Sequence, residues 1–317
     1  MYCIVIKMTT RRYLIRFSYL GTQYRGSQKH ASSTVLDVDS IQGALESSLS
    51  RLNHKNVPNI VMAGRTDAGV HALNMTAHID IQHNYTSEKY PDYNKKLVQL
   101  MNRYLINTGH EIRVFTCYEV NPKFHARFSA KTRTYLYRFC MPKDVTDQRL
   151  PISEHNRSLF FHPYPHNFDM QRFKNGLELF KGTKDFMTFS ARSVKKELYW
   201  EKEEFKRRYV KTLDLRIEEA TPLMPMDPLS QNFSYWHLTF QSKSFLYNQI
   251  RRIVGTLFAL GLNRISEEDI ITMLQVPSHH QFINKIQPAK PHGLYLLNVD
   301  YDEEDIKPYD SEKMKSA

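Results

Sequence analysis

Ala63-Gly64-Arg65-Thr66-Asp67-Ala68-Gly69-Val70-His71-Ala72 is the most informative stretch of the chain. It follows Ile60 to Met62, which reads as a short buried strand, and it precedes Thr76 to Gln82, where alternate residues are apolar in the manner of a strand. Gly64 and Gly69 bracket an Arg-x-Asp triplet. Glycine allows backbone angles and close approaches closed to other residues, so such a loop can hold a carboxylate at the rim of a sheet and leave it open to a substrate. Arg65 and Asp67 can pair, an arrangement that keeps a carboxylate ionised, and an ionised Asp is a nucleophile. The plain alternative is an Asp that caps a turn beside an Arg, and spacing alone favours that alternative.

Outward from this loop the pattern alternates. Tyr13, Ile15, Phe17 and Tyr19 predict a strand ended by a turn at Gly21. Ser40 or Asp39 can cap a helix with Ile41, Leu45, Leu49 and Leu52 on one face. Asn94 to Tyr104 predicts a helix and Ile112 to Val120 a strand. The same kind of alternation recurs: a strand over Thr132–Phe139, a helix over Asp169–Phe180, strands over 212–218 and 233–240 joined by a loop rich in Pro and Met, a helix over Phe245–Leu260, and a closing strand over Gly293–Val299. This is an α+β pattern. It divides into an N-terminal domain over 11–121 and a C-terminal domain over 122–301, with a break at Asn121-Pro122 and a disordered tail over 302–317. No repeat is visible at sequence level. Arg192 to Arg208 is dense in charge and reads as a solvated excursion.

Composition narrows the class. The 317 residues carry 44 Lys and Arg against 33 Asp and Glu, a net charge of +11. Such an excess favours a polyanionic partner, nucleic acid first. The 19 Tyr and 18 Phe add faces that can stack on unpaired bases. Cys3, Cys117 and Cys140 are odd in number and form no Cys-x-x-Cys pair, which argues for a reducing compartment and against a disulfide scaffold or a cysteine-based zinc site. His162 and His166 flank two prolines, and His279 and His280 are adjacent, so neither pair suits a metal. The longest apolar run, Ile253 to Leu262, is too short to span a membrane. Met1 to Arg12 holds three basic residues and no acid, compatible with a mitochondrial presequence or with an unstructured start. The reading is an intracellular protein, of the mitochondrial matrix or the cytoplasm.

The string Gly64 to His71 resembles the signature of the TruA family of tRNA pseudouridine synthases, and four further segments match in order. These are Tyr19-Leu20-Gly21 with Tyr24, Gly26 and Gln28; Phe124 to Ala130 followed by Arg133-Thr134-Tyr135; Phe245 to Gly255; and Gly293-Leu294-Tyr295-Leu296. The resemblance runs from Tyr13 to Tyr301 and is strongest to an animal branch of the family. Leu20 stands where the family has Asp, Ser27 where it has Trp, and residues 190–232 match poorly.

The resemblance implies two tandem ferredoxin-like halves whose antiparallel sheets join into one large mixed sheet, with an active-site cleft between them. It implies conversion of uridine to pseudouridine in tRNA, in the anticodon stem-loop, by a homodimer without cofactor or metal. Asp67 would be the nucleophile, Tyr135 would stack on the flipped uracil and take its C5 proton, and Arg251 would pair with Asp67. Arg65 would fill the space left by the flipped base, Leu294 would pack on the base, and Thr66, His125 and Arg127 would contact substrate. On a helical wheel Arg251 flanks the apolar face, and Arg252 falls on the opposite side, as a surface or phosphate contact. Two rivals compete with this reading. A catalytically idle tRNA-binding chaperone on the same fold is disfavoured by the intact set Arg65, Asp67, Tyr135 and Arg251. A hydrolase acting on a small substrate is disfavoured by the basic charge.

Overall fold

The computed structural model describes residues 9–29, 37–50, 56, 58–83, 92–163, 165–191 and 209–309. The fold is α+β, as expected, and is built on a ten-stranded mixed sheet. The chain divides into one unit comprising Met1–Lys131 with Leu296–Ala317 and a second comprising Thr132–Tyr295.

The first unit begins with β1 (Thr9–Tyr19), α1 (Ile41–Ser50), β2 (Ile60–Met62), β3 (His71–His83), α2 (Tyr93–Asn107) and β4 (Ile112–Glu119). β1 pairs antiparallel with both β3 and β4, and β2 pairs with β3. Leu14 is as fully buried as Ile15 and Phe17, so β1 is covered on both faces and not only on the face its alternation suggests. Ser40 caps α1: its Oγ accepts the Gly43 N–H at 3.1 Å. Asn102 stitches α2 to β4, its amide donating to the Val114 carbonyl at 2.6 Å while its Oδ1 accepts the Val114 N–H at 2.9 Å.

The second unit holds β5 (Thr132–Pro142), β6 (Leu159–Phe160), α3 (Met170–Glu178), β7 (Gly182–Asp185), β8 (Val210–Ala220), β9 (Phe233–Ser242), α4 (Gln249–Gly261) and α5 (Glu267–Gln275). The order β5-β9-β8-β7 is antiparallel throughout, and β6 lies parallel to the far end of β5. α4 is the centre of the core. Its Phe258 ring lies 5.2 Å from Phe139 of β5 and 5.2 Å from Phe173 of α3. A Cβ on Gly176 of α3 would stand 2.3 Å from a Leu260 methyl, so the two helices approach closely because that residue has no side chain. α4 starts at Gln249 and not at the expected Phe245, because Asn248 adopts φ 59° and interrupts the helical path.

β10 (Leu294–Asp300) and α6 (Glu303–Ile306) end the described chain. From Leu296 onward the residues belong to the first unit, where Asn298 accepts a 2.7 Å bond from Asn74 of β3. The division therefore differs from the expected 11–121 and 122–301. Residues 122–131 bond back to the first unit through Arg12, His78 and Asp300, which carries its boundary to Lys131. Residues 302–309, expected as disordered tail, carry α6 and a 2.9 Å bond from the Tyr309 N–H to the Glu119 carbonyl. Residues 310–317 and the charged segment 192–208 lie outside the described residues.

Candidate active site

In the first unit the Asp67 loop is braced from below by the turn that follows β1. The Ser27 Oγ accepts the Thr66 N–H at 2.8 Å, the Ser27 N–H donates to the Thr66 carbonyl at 3.1 Å, and Gly26 forms an isolated bridge with Asp67. The Tyr19 and Thr66 hydroxyls meet at 2.8 Å, both side chains buried. His71 is fully buried, and its Nδ1 accepts the Gly21 N–H at 2.9 Å. Gly21 has to be glycine: a Cβ there would lie 1.9 Å from the Val70 carbonyl oxygen. Gly69, at φ 78°, turns the chain back toward β3. The side chains alternate along the loop, Arg65 exposed, Thr66 buried and Asp67 half-buried. Thr66 holds the loop through these bonds. Ser27, one of the two departures from the family pattern, turns out to be a brace of the Asp67 loop. No periodicity in the sequence marks it.

A second group in the same unit surrounds the turn Phe124–Ser129. Arg12 grips Asp80 with two bonds, of 2.8 and 2.7 Å, and donates to the carbonyls of Pro122 and Phe124 at 2.8 and 2.7 Å. The buried His78 accepts the Ala126 N–H on Nδ1 at 3.1 Å, and its ring centre stands 4.7 Å from that of His125. Burial, with the Arg12 charge beside it, pushes the His78 pKa down to about 4. The same two causes lower that of His125. The exposed Arg127 sits at the tip of this turn. Sequence reading named His125 and Arg127 but not Arg12, His78 and Asp80, which hold them in place.

In the second unit Tyr135 lies at the start of β5, only 7% exposed, and packs edge-on against Phe245 at 5.1 Å. Tyr137 and Phe139 continue its face into the core and are fully buried. Arg251 is half-buried; its Nε donates to the Ala289 carbonyl at 2.7 Å and its guanidinium also bonds Asn248 at 2.9 Å. The Tyr137 hydroxyl donates to the next carbonyl, that of Lys290, at 2.8 Å. Arg251 and Tyr137 together fix the segment that leads through Gly293 to the buried Leu294 at the head of β10. Gly293 lets this segment press on β5, since a Cβ there would stand 2.7 Å from the Arg138 carbonyl.

Arg252 corrects an expectation. It does not face solvent: it donates to the carbonyls of Thr188 and Ser190 at 2.9 and 3.2 Å, and its guanidinium lies 4.3 Å from the centre of the Phe282 ring. The helical wheel presumed one wet face, whereas α4 from Ile253 to Gly261 is buried all round.

No helix among the described residues is long and apolar enough to cross a membrane, and no group of three or more His, Cys, Asp or Glu among them could hold a metal ion.

A family profile described as tRNA pseudouridine synthase matches residues 177–302. The chain is 31% identical over 303 residues to tRNA pseudouridine synthase-like 1 of Xenopus laevis, covering 95% of each chain. It is 32% identical to the Homo sapiens protein of the same name, covering 92% of this chain and 90% of that one. It is also 32% identical to tRNA pseudouridine synthase A of Ehrlichia chaffeensis, covering 92% of this chain and all of the bacterial one. A fold of this class, with a braced carboxylate loop on a basic chain, fits an enzyme of nucleic acid. The chain belongs to the TruA-type family of tRNA pseudouridine synthases, which are isomerases.

Proposed function

We propose that the protein isomerises uridine to pseudouridine in the anticodon stem-loop of tRNA, with Asp67 as nucleophile. The observation that carries this reading is the bracing of the Asp67 loop: Tyr19, Ser27 and Gly26 hold Thr66 and the Asp67 backbone, while the Asp67 side chain stays half-exposed. A rigid base under a reachable carboxylate is what covalent catalysis needs.

In the reaction the bond from N1 of the uracil to the ribose breaks and a bond from C5 to the same ribose carbon forms. C5 gives up its proton and N1 gains one, so no atom or electron is added overall, and the chemistry calls for no electron carrier. The target base must leave the stack first, at a cost of about a few kcal/mol. Asp67 attacks the uridine and is released again when the bond from C5 to the ribose forms, Tyr135 stacks on the freed base and accepts the C5 proton, and Leu294 packs on the base. Arg251 serves as the charge partner of Asp67, and Arg65 fills the space that the base vacates. His125 and Arg127 contact the RNA. A homodimer is the working assembly. These roles rest on the resemblance of the matched segments and on the chemistry of each side chain.

The experiment is to incubate the purified protein with an unmodified tRNA transcript and map pseudouridine along it. New pseudouridine at anticodon-arm uridines is the expected result. Conversion confined to another arm would overturn the anticodon assignment.

A further inference from the structure

The turn Phe124–Ser129 presents a side chain that folding does not explain. Phe128 is 76% exposed, while Phe124, four residues earlier in the same turn, is 2% exposed. An isolated exposed apolar residue needs no explanation, but Phe128 is neither isolated nor loosely held. The His125 ring lies beside it, tilted by 34°, at 4.3 Å between centres. His125 is itself locked, its Nδ1 facing the N–H groups of Arg127 and Phe128 at 3.2 and 3.3 Å. The Arg127 guanidinium lies 5.8 Å from the Phe128 ring centre. Below, the turn is pinned by Arg12 on Pro122 and Phe124, by His78 on Ala126, and by the Tyr301 hydroxyl on the Ala126 carbonyl at 2.7 Å. A turn pinned at these points thus keeps an aromatic ring exposed, with an imidazole and a guanidinium close by.

The charge around it selects the occupant. From Pro122 to Lys131 the chain has Lys123, Arg127 and Lys131 and no acid; Lys131 is paired with Asp302 at 2.7 Å, and Lys123 and Arg127 are exposed. An apolar protein surface would gain nothing from these cations, whereas an RNA strand offers a π-face to the ring and phosphates to the cations. Desolvation and the nearby Arg12 lower the pKa of His125, which favours the neutral ring whose Nδ1 accepts from the turn.

We propose that Phe128, flanked by His125 and Arg127, is a stacking platform for an unpaired base of the RNA substrate. This rests on the tRNA reading above and adds a binding element that is not part of the Asp67 loop. The test measures the Kd of wild type, Phe128→Ala and Phe128→Tyr for a tRNA transcript and for a blunt RNA duplex. Loss of one base–aromatic stack weakens tRNA binding by roughly 5- to 150-fold in Phe128→Ala. Phe128→Tyr restores it, and duplex binding does not change. The ring is exposed, so the melting temperature of Phe128→Ala stays at the wild-type value. Unchanged tRNA affinity in Phe128→Ala, or an equal loss on both RNAs, overturns the platform. So does a change in the oligomeric state of Phe128→Ala in sedimentation, which would give this face to a second copy of the chain. Wild type that fails to bind tRNA would overturn the functional reading, whereas wild type that binds with Phe128→Ala unaffected would remove the platform alone.

Discussion

Arg251 and Arg252 are neighbours with different tasks, and the difference lies in which backbone each one holds. Arg251 reaches the Ala289 carbonyl ahead of Leu294, and Arg252 reaches the carbonyls of Thr188 and Ser190. Hydrogen bonds from a charged group contribute about 1.5–3 kcal/mol, and stacking over an aromatic ring adds about 0.5–2. Arg252→Ala is expected to lower the melting temperature by several degrees and to leave the single-turnover rate on saturating tRNA near wild type. Arg252→Lys recovers only part of the loss: an ammonium can bond both carbonyls, which a single Arg252 nitrogen reaches, but it has no planar guanidinium to place over Phe282. An unchanged melting temperature in Arg252→Ala, followed by calorimetry, would show that these contacts are slack. Legibility at this scale is uneven. The Arg-x-Asp triplet was readable because glycines frame it. Ser27 and Arg252 were not, because their partners, Thr66 and the 188–190 segment, lie 39 and 62–64 positions away.

Among the elements, β3 and the turn beyond β4 are coupled through groups that must stay neutral or paired. His78 on β3 stands between Arg12, His125 and Asp80. Its folded pKa, about 4, lies below the ordinary value of 6.5. The unfolded chain therefore takes up the proton first, and the stabilisation is complete above about pH 6.5 and is lost as the pH falls toward about 4. A tenfold difference in proton affinity between the folded and unfolded chain corresponds to about 1.4 kcal/mol, so this group alone contributes about 2–3 kcal/mol to the loss. The melting temperature should fall between pH 7 and pH 4.5. It should fall less in His78→Asn, whose Oδ1 can accept the Ala126 N–H without titrating. Equal falls in both proteins would mean that other groups govern the acid response. The strands themselves were legible: β1, β4, β5 and β9 fall where alternation puts them. The start of α4 was not, because the left-handed Asn248 is a matter of local backbone that apolar spacing cannot report. Nor was its burial all round, because the segments covering it are distant in sequence.

At the scale of the whole molecule, the basic charge, the α+β order and the matched segments all pointed to one family, and the relatives extend over nearly the entire chain. Charge is a property of the sum and was legible from composition alone. The unit boundary at Lys131 was not, because it depends on bonds that return residues 122–131 to the first unit. The proposed reaction isomerises uridine in tRNA through one carboxylate, that of Asp67. An amide cannot be that nucleophile, and Asn has nearly the shape of Asp, so Asp67→Asn should keep the fold and the melting temperature. The direct measurement is tritium release from tRNA labelled at uridine C5, with wild type and Asp67→Asn side by side. Wild type is expected to release tritium steadily and Asp67→Asn none above background; release by the variant at the wild-type rate would mean that Asp67 is not the nucleophile.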